Sequence, residues 1–173
     1  MIPLDEAKPR HRAFSRLVIA QRDIDLAHRA ISHIEKLKAS NMDDICEMLI
    51  TAAAIFYSRP FIATKAYPRI PAKFATFDKP AFQTFHDEML SFRNRFVAHC
   101  DTRDVKVQIL PKGTQFRGSG NSLFTVRRHG TGVTTLRFQP KGLPLFKAVC
   151  SFQLARIGEE INSESQELFR AQA

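Results

Sequence analysis

In a chain of 173 residues, reactive side-chain types crowd most closely in HDEMLSFRNRFVAHCDTR, residues 86 to 103. Its tail sets Arg93, Asn94, Arg95 and His99 at the end of an amphipathic segment. An imidazole titrates near neutral pH, so it can take a proton from a ribose 2′-hydroxyl or give one to a leaving oxygen. A guanidinium offers phosphate oxygens a planar fork of donors and stays charged throughout. Together they suffice for RNA cleavage without a metal, the substrate's own 2′-hydroxyl serving as nucleophile. An Asn beside the Arg can orient either partner or donate to the phosphate. Basic residues in a last helical turn also complement the helix dipole, so a purely structural helix end fits the same residues.

Spacing does not choose between the two arginines. At ~100° per residue, Arg93 and His99 lie about 120° apart around a helix and ~9 Å apart along it. Arg95 and His99, at i and i+4, face the same way. Asp101 either orients His99 or stops the helix. Tyr57 closes an apolar helix face and reads first as a core residue. Arg59 precedes Pro60, which takes it off helical backbone and lets it reach the same cleft as a second phosphate contact. Cys100 is no nucleophile by virtue of sitting beside His99, since helical neighbours point apart. His86 and His99 are too far apart along one helix to share an ion. His28 and His33 read as surface residues. The glycines of KGTQFRGSGN lack the GKS or GKT of a phosphate-binding loop. Neither a metal nor a cofactor is expected.

The elements that must position these residues read as a mainly α bundle of about four main helices, with a small antiparallel β insertion between the last two. Leu17, Ile24 and Ile31, with Ala20, Ala27 and Ile34 beside them, make one apolar stripe and predict a helix over 14–39. SNMDD then offers Ser40 or Asn41 as a cap for a helix over 43–58. In that helix Ile45, Met48, Leu49, Ala52, Ile55 and Phe56 are expected to face inward. Pro60, Pro68, Pro71 and Pro80 predict a mostly irregular crossover. Asp78 is the expected cap and Pro80 the first turn of a third helix, which runs to about His99. VKVQIL, SLFTVRRH and VTTLRF are β-prone, and Gly130-Thr131-Gly132 predicts a hairpin between the last two. A final helix runs from Gly142 or Pro144 to about 170. A single domain, 1–173, is expected: helices and crossover over 13–101, the β insertion over 102–140, the C-terminal helix over 141–171.

Composition sets the class. Apolar residues make up 44% and charged ones 25%, the globular range. Fifteen Phe and no Trp imply a core wedged together by Phe from several helices. No signal-like or membrane-spanning apolar run is present, and three cysteines without metal-type spacing fit a reduced, cytoplasmic protein. The net charge of +9 is unevenly placed. The 54 residues between Asp104 and Glu159 contain nine basic side chains and no acid, among them Arg127 and Arg128. A second acid-free interval, 48–77, holds Arg59, Lys65, Arg69 and Lys73. Such an imbalance is the footprint of a polyanion binder, nucleic acid first.

RNRFVAH, Arg93 to His99, resembles the Arg–polar–x(4)–His signature of the HEPN superfamily of α-helical domains. The wider LSFRNRFVAHCD resembles the ending of an uncharacterised branch related to abortive-infection proteins, and FYSRPF, residues 56 to 61, resembles a segment that branch carries after its second helix. The resemblance spans two short blocks in the first 101 residues and leaves the β-prone stretch uncovered. It implies a homodimer in which two helix ends line one cleft and cleave RNA without metal, leaving a 2′,3′-cyclic phosphate. Arg93 would then stabilise the phosphorane, His99 would be the acid or base, and Asn94 would hold the geometry. Arg59 would be a second phosphate contact and Arg95 either an RNA-backbone contact or a helix-surface charge; Arg127 and Arg128, in the stretch the resemblance leaves uncovered, are candidate RNA-binding residues by charge alone. A toxin or phage-defence role, with an antitoxin protein as candidate partner, follows from the same resemblance. A non-catalytic RNA- or nucleotide-binding module and a dimeric scaffold remain open beside it.

Overall fold

The computed structural model describes residues 8–37, 43–64, 68–94, 105–110, 115–117, 123–125, 130–135 and 142–170. Among them are four α-helices: α1 (Pro9–Leu37), α2 (Asp43–Ser58), α3 (Pro80–Phe92) and α4 (Leu143–Arg170). The architecture is mainly helical, with α1 packed along both α2 and α4.

Helix α1 begins at Pro9, earlier than its apolar pattern predicts. Proline suits a first turn, where its missing N–H would have no helical partner. The Arg12 N–H closes that turn on the Lys8 carbonyl at 3.0 Å. PRHR carries no apolar period, and charge holds it instead: Arg10 pairs with Glu164 at 3.1 Å and with Glu167, both on α4. Further along, Leu17, Ala20, Ile24, Ala27, Ile31 and Ile34 are buried as one stripe. Removing an Ile of this kind from water contributes about 1.5–3 kcal/mol.

On α2 the structure corrects the expected face. Ala53, Ala54, Tyr57 and Ser58 are fully buried, whereas Met48 is 71% and Ile45 38% exposed. Leu49, Ala52, Ile55 and Phe56 are half-buried at the edges. The segment ICEMLITAAAIFY is apolar around most of its circumference, so periodicity alone picks no face. Two adjacent alanines let α2 approach α1 closely, and that close packing selects the inward side.

The crossover makes short 3₁₀ turns at Arg59–Phe61 and Ala72–Ala75, joined by an Ile70 N–H to Pro60 carbonyl bond of 2.9 Å. It buries Pro60, Ile70, Phe74 and Phe77. Pro80 opens α3 as expected, but the cap position is Lys79, with no side-chain cap bond, rather than Asp78. The Phe77 N–H is satisfied by Gln83 Oε1 at 3.0 Å, which tethers the approach to α3 without a capping carboxylate. The expected caps Ser40 and Asn41 lie outside the described residues.

Between α3 and α4, β1 (Val105–Leu110) pairs antiparallel with β4 (Gly130–Thr135), and β2 (Gln115–Arg117) with β3 (Leu123–Thr125). Paired residue numbers in both ladders are symmetric about position 120, so the two share one register. Gly130, Thr131 and Gly132 are therefore strand residues opposite Leu110, Ile109 and Gln108, and the hairpin turn expected there is not formed.

The core is aromatic, as fifteen phenylalanines suggest. Tyr57 meets Phe146 of α4 edge-on at 5.5 Å between ring centroids, and Phe85 of α3 packs 5.0 Å from Phe146. A second group joins Phe77, Phe82 and Phe152 at 5.6–6.1 Å. The α2 face gives a direct test by urea unfolding. Ala54→Leu is expected to cost about 1–3 kcal/mol by overpacking, and Met48→Ala to change stability by no more than about 0.5 kcal/mol. The reverse order would mean that the opposite face of α2 is the buried one.

Candidate functional site

The blocks FYSRPF and LSFRNRFVAHCD lie on elements that touch. Tyr57 Oη and His86 Nδ1 share a buried hydrogen bond of 2.9 Å. The next residue, Ser58, donates its hydroxyl to the Ala54 carbonyl at 2.7 Å and lies 3.5 Å from the Met89 carbonyl. Met89 is one turn before Arg93, so the last turn of α2 is fastened to the turn of α3 that leads into the motif.

Arg93 follows Phe92 with φ −57° and ψ −45°, its N–H directed at the carbonyls of Met89 and Leu90. Arg93 and Asn94 continue the helix with the wider π-type turn. A wider turn has a smaller angular step, so the ~100° per residue assumed above does not hold for Arg93 and Asn94 themselves. Arg93 Nη1 donates to Asn94 Oδ1 at 3.1 Å. Arg93 is half-buried and Asn94 exposed. One N–H of the guanidinium is held by a neutral amide, and the fork retains its other donors for an oxyanion. Arg95, His99, Cys100, Asp101, Arg127 and Arg128 lie outside the described residues.

Arg59 is held by an acid on α1. Its Nη1 lies 3.3 Å from Oδ1 of Asp23 on α1, and its guanidinium sits 5.8 Å from the Phe56 ring centroid. Its backbone is also captured. The Arg59 carbonyl accepts from Arg16 Nη2 at 2.7 Å, and Arg16 Nε donates to the Pro68 carbonyl at 2.8 Å. Arg16 and Asp23 are both buried, at 5% and 3% exposure. Sequence reading passed over them, although a signal existed: they stand seven apart on the apolar stripe of α1, where a buried charge demands a partner. Burial raises the Asp23 carboxyl above its ordinary range, against the opposing pull of Arg59, Arg16 and Arg22. Its second oxygen, Oδ2, has no hydrogen-bond partner among the described residues.

Tyr57 belongs to the core and not to a cleft, with no exposed surface. Burial holds its hydroxyl well above the usual phenol range, with Cys150 and Asp87 adding to the effect. Burial lowers His86, partly opposed by Asp87. It raises the Cys150 thiol, which makes that cysteine an inert core residue. Among the described residues no three His, Cys, Asp or Glu stand together as a metal would require, and no helix is long and apolar enough to cross a membrane.

Comparison with protein-family models, curated proteins and solved structures found no match for the chain.

The Tyr57–His86 bond has a pH consequence. His86 holds a proton less readily folded than at its ordinary value of 6.5, so the unfolded chain protonates first on acidification. Its contribution to stability is whole above 6.5 and declines as pH falls towards the lowered folded value. Urea midpoints should drop between pH 7.5 and 5.5. In His86→Gln, which cannot titrate there, that drop should be smaller. Tyr57→Phe should cost about 1–3 kcal/mol at pH 7.5, leaving a buried ring nitrogen without its partner. An equal acid decline in wild type and His86→Gln would assign the pH effect to other groups.

Proposed function

We propose that the chain is a metal-independent endoribonuclease of the HEPN type, working as a homodimer. The observation that supports the proposal is the attachment of the first motif block to α3 just ahead of the second. The Tyr57–His86 and Ser58–Met89 contacts join α2 to α3 one to two turns before Arg93 and Asn94, which are themselves hydrogen-bonded. The basic surplus of the sequence supports a polyanionic substrate in the same reading.

In this mechanism the 2′-hydroxyl oxygen attacks the adjacent phosphorus while the bond from phosphorus to the 5′-oxygen breaks, leaving a 2′,3′-cyclic phosphate and a free 5′-hydroxyl. His99 removes the 2′-proton or protonates the departing oxygen, and its counterpart in the second copy serves the other end. Arg93 contributes its donors where charge builds on the equatorial phosphate oxygens. Asn94 takes one Arg93 N–H and so restricts the fork to a few orientations, which is positioning and not proton transfer. The proposal extends to a cytoplasmic setting, a toxin or phage-defence role with an antitoxin partner, and a small β insertion formed by the two ladders between α3 and α4.

End-labelled RNA incubated with purified protein in EDTA tests the proposal. Cleavage to 2′,3′-cyclic phosphate ends should occur, and Arg93→Ala and His99→Ala should each lower its rate by about 10²–10⁴-fold. Asn94→Ala should have a smaller effect. RNA binding without cleavage in the wild-type protein would replace the enzyme by a binding module built on the same helix end.

A further inference from the structure

Cations on this protein are held in two distinct ways. Along α4 several are cancelled by acids, Arg10 by Glu164 and Glu167, Lys73 by Glu160, Lys147 by Glu35, while Arg156 is held by the Thr76 and Lys73 carbonyls. Around Asp23 of α1, beside the start of the crossover, the cations outnumber the acids. Asp23 is acted on by Arg16, Arg22 and Arg59 together, one carboxylate against three guanidinium groups. That carboxylate is buried, so it offers no negative charge to the surface.

The geometry gives each group of this cluster a separate task. Arg16 is spent on two backbone carbonyls, those of Arg59 and Pro68. In doing so it fixes the backbone at Arg59 and immediately before Arg69. Asp23 holds the Arg59 side chain by one nitrogen while 52% of that side chain stays exposed. Arg22 and Arg69 are exposed and have no ion pair among the described residues. Phe56, half-buried, packs against the core and lies under the Arg59 guanidinium, which it helps to hold in place. Exposed guanidinium groups that no surface acid cancels are the combination that binds a phosphate backbone.

We infer that Arg22, Arg59 and Arg69 form a backbone-binding face for single-stranded RNA, and that Asp23 and Arg16 are the positioning residues beneath it. The inference rests on RNA being the ligand, as proposed above, and adds a contact surface from α1 and the crossover to the helix end of α3. Burying a carboxylate with one oxygen unpartnered is costly to stability, and positioning Arg59 for a ligand accounts for it.

Fluorescence anisotropy with a labelled, 2′-O-methylated RNA of about 20 nucleotides tests the face, because that probe lacks the nucleophile and survives intact. Over a salt series, the triple variant Arg22→Ala/Arg59→Ala/Arg69→Ala should bind more weakly, with the slope of log K against log salt shallower by about two. Arg22→Ala/Arg69→Ala leaves the Asp23–Arg59 pair intact, which guards against loss of folding, and should flatten the slope by about 1.4. Lys36→Ala/Arg170→Ala, which removes two exposed charges at other helix ends, should leave the slope unchanged. Unaltered binding in both arginine variants, or an equal loss in the Lys36/Arg170 control, overturns the inference while leaving cleavage by the Arg93 site standing. Absence of any RNA binding by the wild-type protein removes both.

Discussion

A hydrogen bond between two rings inside an aromatic core governs how this bundle is assembled. Tyr57 and His86 have almost no contact with solvent, and each is the other's polar partner. Around them the Phe61 and Phe77 rings stand 4.5 and 5.3 Å from the imidazole, and Phe146 closes the far side of the tyrosine. Hydrophobic burial would tolerate several rotations of α3 against α2. A buried donor and acceptor tolerate one, because any other leaves both unsatisfied at a cost of a few kcal/mol. That bond and the Ser58 contact with the Met89 carbonyl together limit the azimuth of α3, and with it the direction of the turn that carries Arg93 and Asn94. Burial keeps the imidazole neutral, so the element carrying the candidate site is also the one whose seat is sensitive to acid.

Charge divides the molecule along a second line. Pairs on the α4 side are exposed and screened by water and salt, so they finish the packing without directing it. Asp23 and Arg16 are buried and have a different consequence. They tie the start of the crossover and its Pro68 region to α1, leaving the side chains of Arg59 and Arg69 at the surface. Pairing at one face and anchoring at the other turns a net charge of +9 into a directional feature.

Much of the helical architecture was legible in the residues. The α1 stripe, the span of α2, the proline-rich crossover with Pro80 at the start of α3, and the run of α4 all follow from period and punctuation. Failures occurred where a local signal was ambiguous. On α2, apolar residues on nearly every side left the inward face to be chosen by how closely two alanines allow α1 to approach. At Gly130-Thr131-Gly132 the glycines read as a turn, yet pairing with Val105–Leu110 places them in a strand. Asp78 had the chemistry of a cap, but Gln83 satisfies the nearby backbone instead. Of the candidate site, the described residues include Arg93 and Asn94, hydrogen-bonded to each other at the closing turn of α3.

Sequence by itself determined which segments are helical, which stripe of α1 is buried, where positive charge accumulates, and which residue types are available for acid–base and phosphate chemistry. These are properties of short-range order and composition. Tertiary structure alone decided that Tyr57 pairs with His86, that Arg59 is claimed by Asp23, and that Arg16 reaches across to the carbonyls of Arg59 and Pro68. Each joins residues far apart in the chain. No periodicity encodes such a partnership, because it exists only once packing has removed both groups from water and left each the other's best substitute for it.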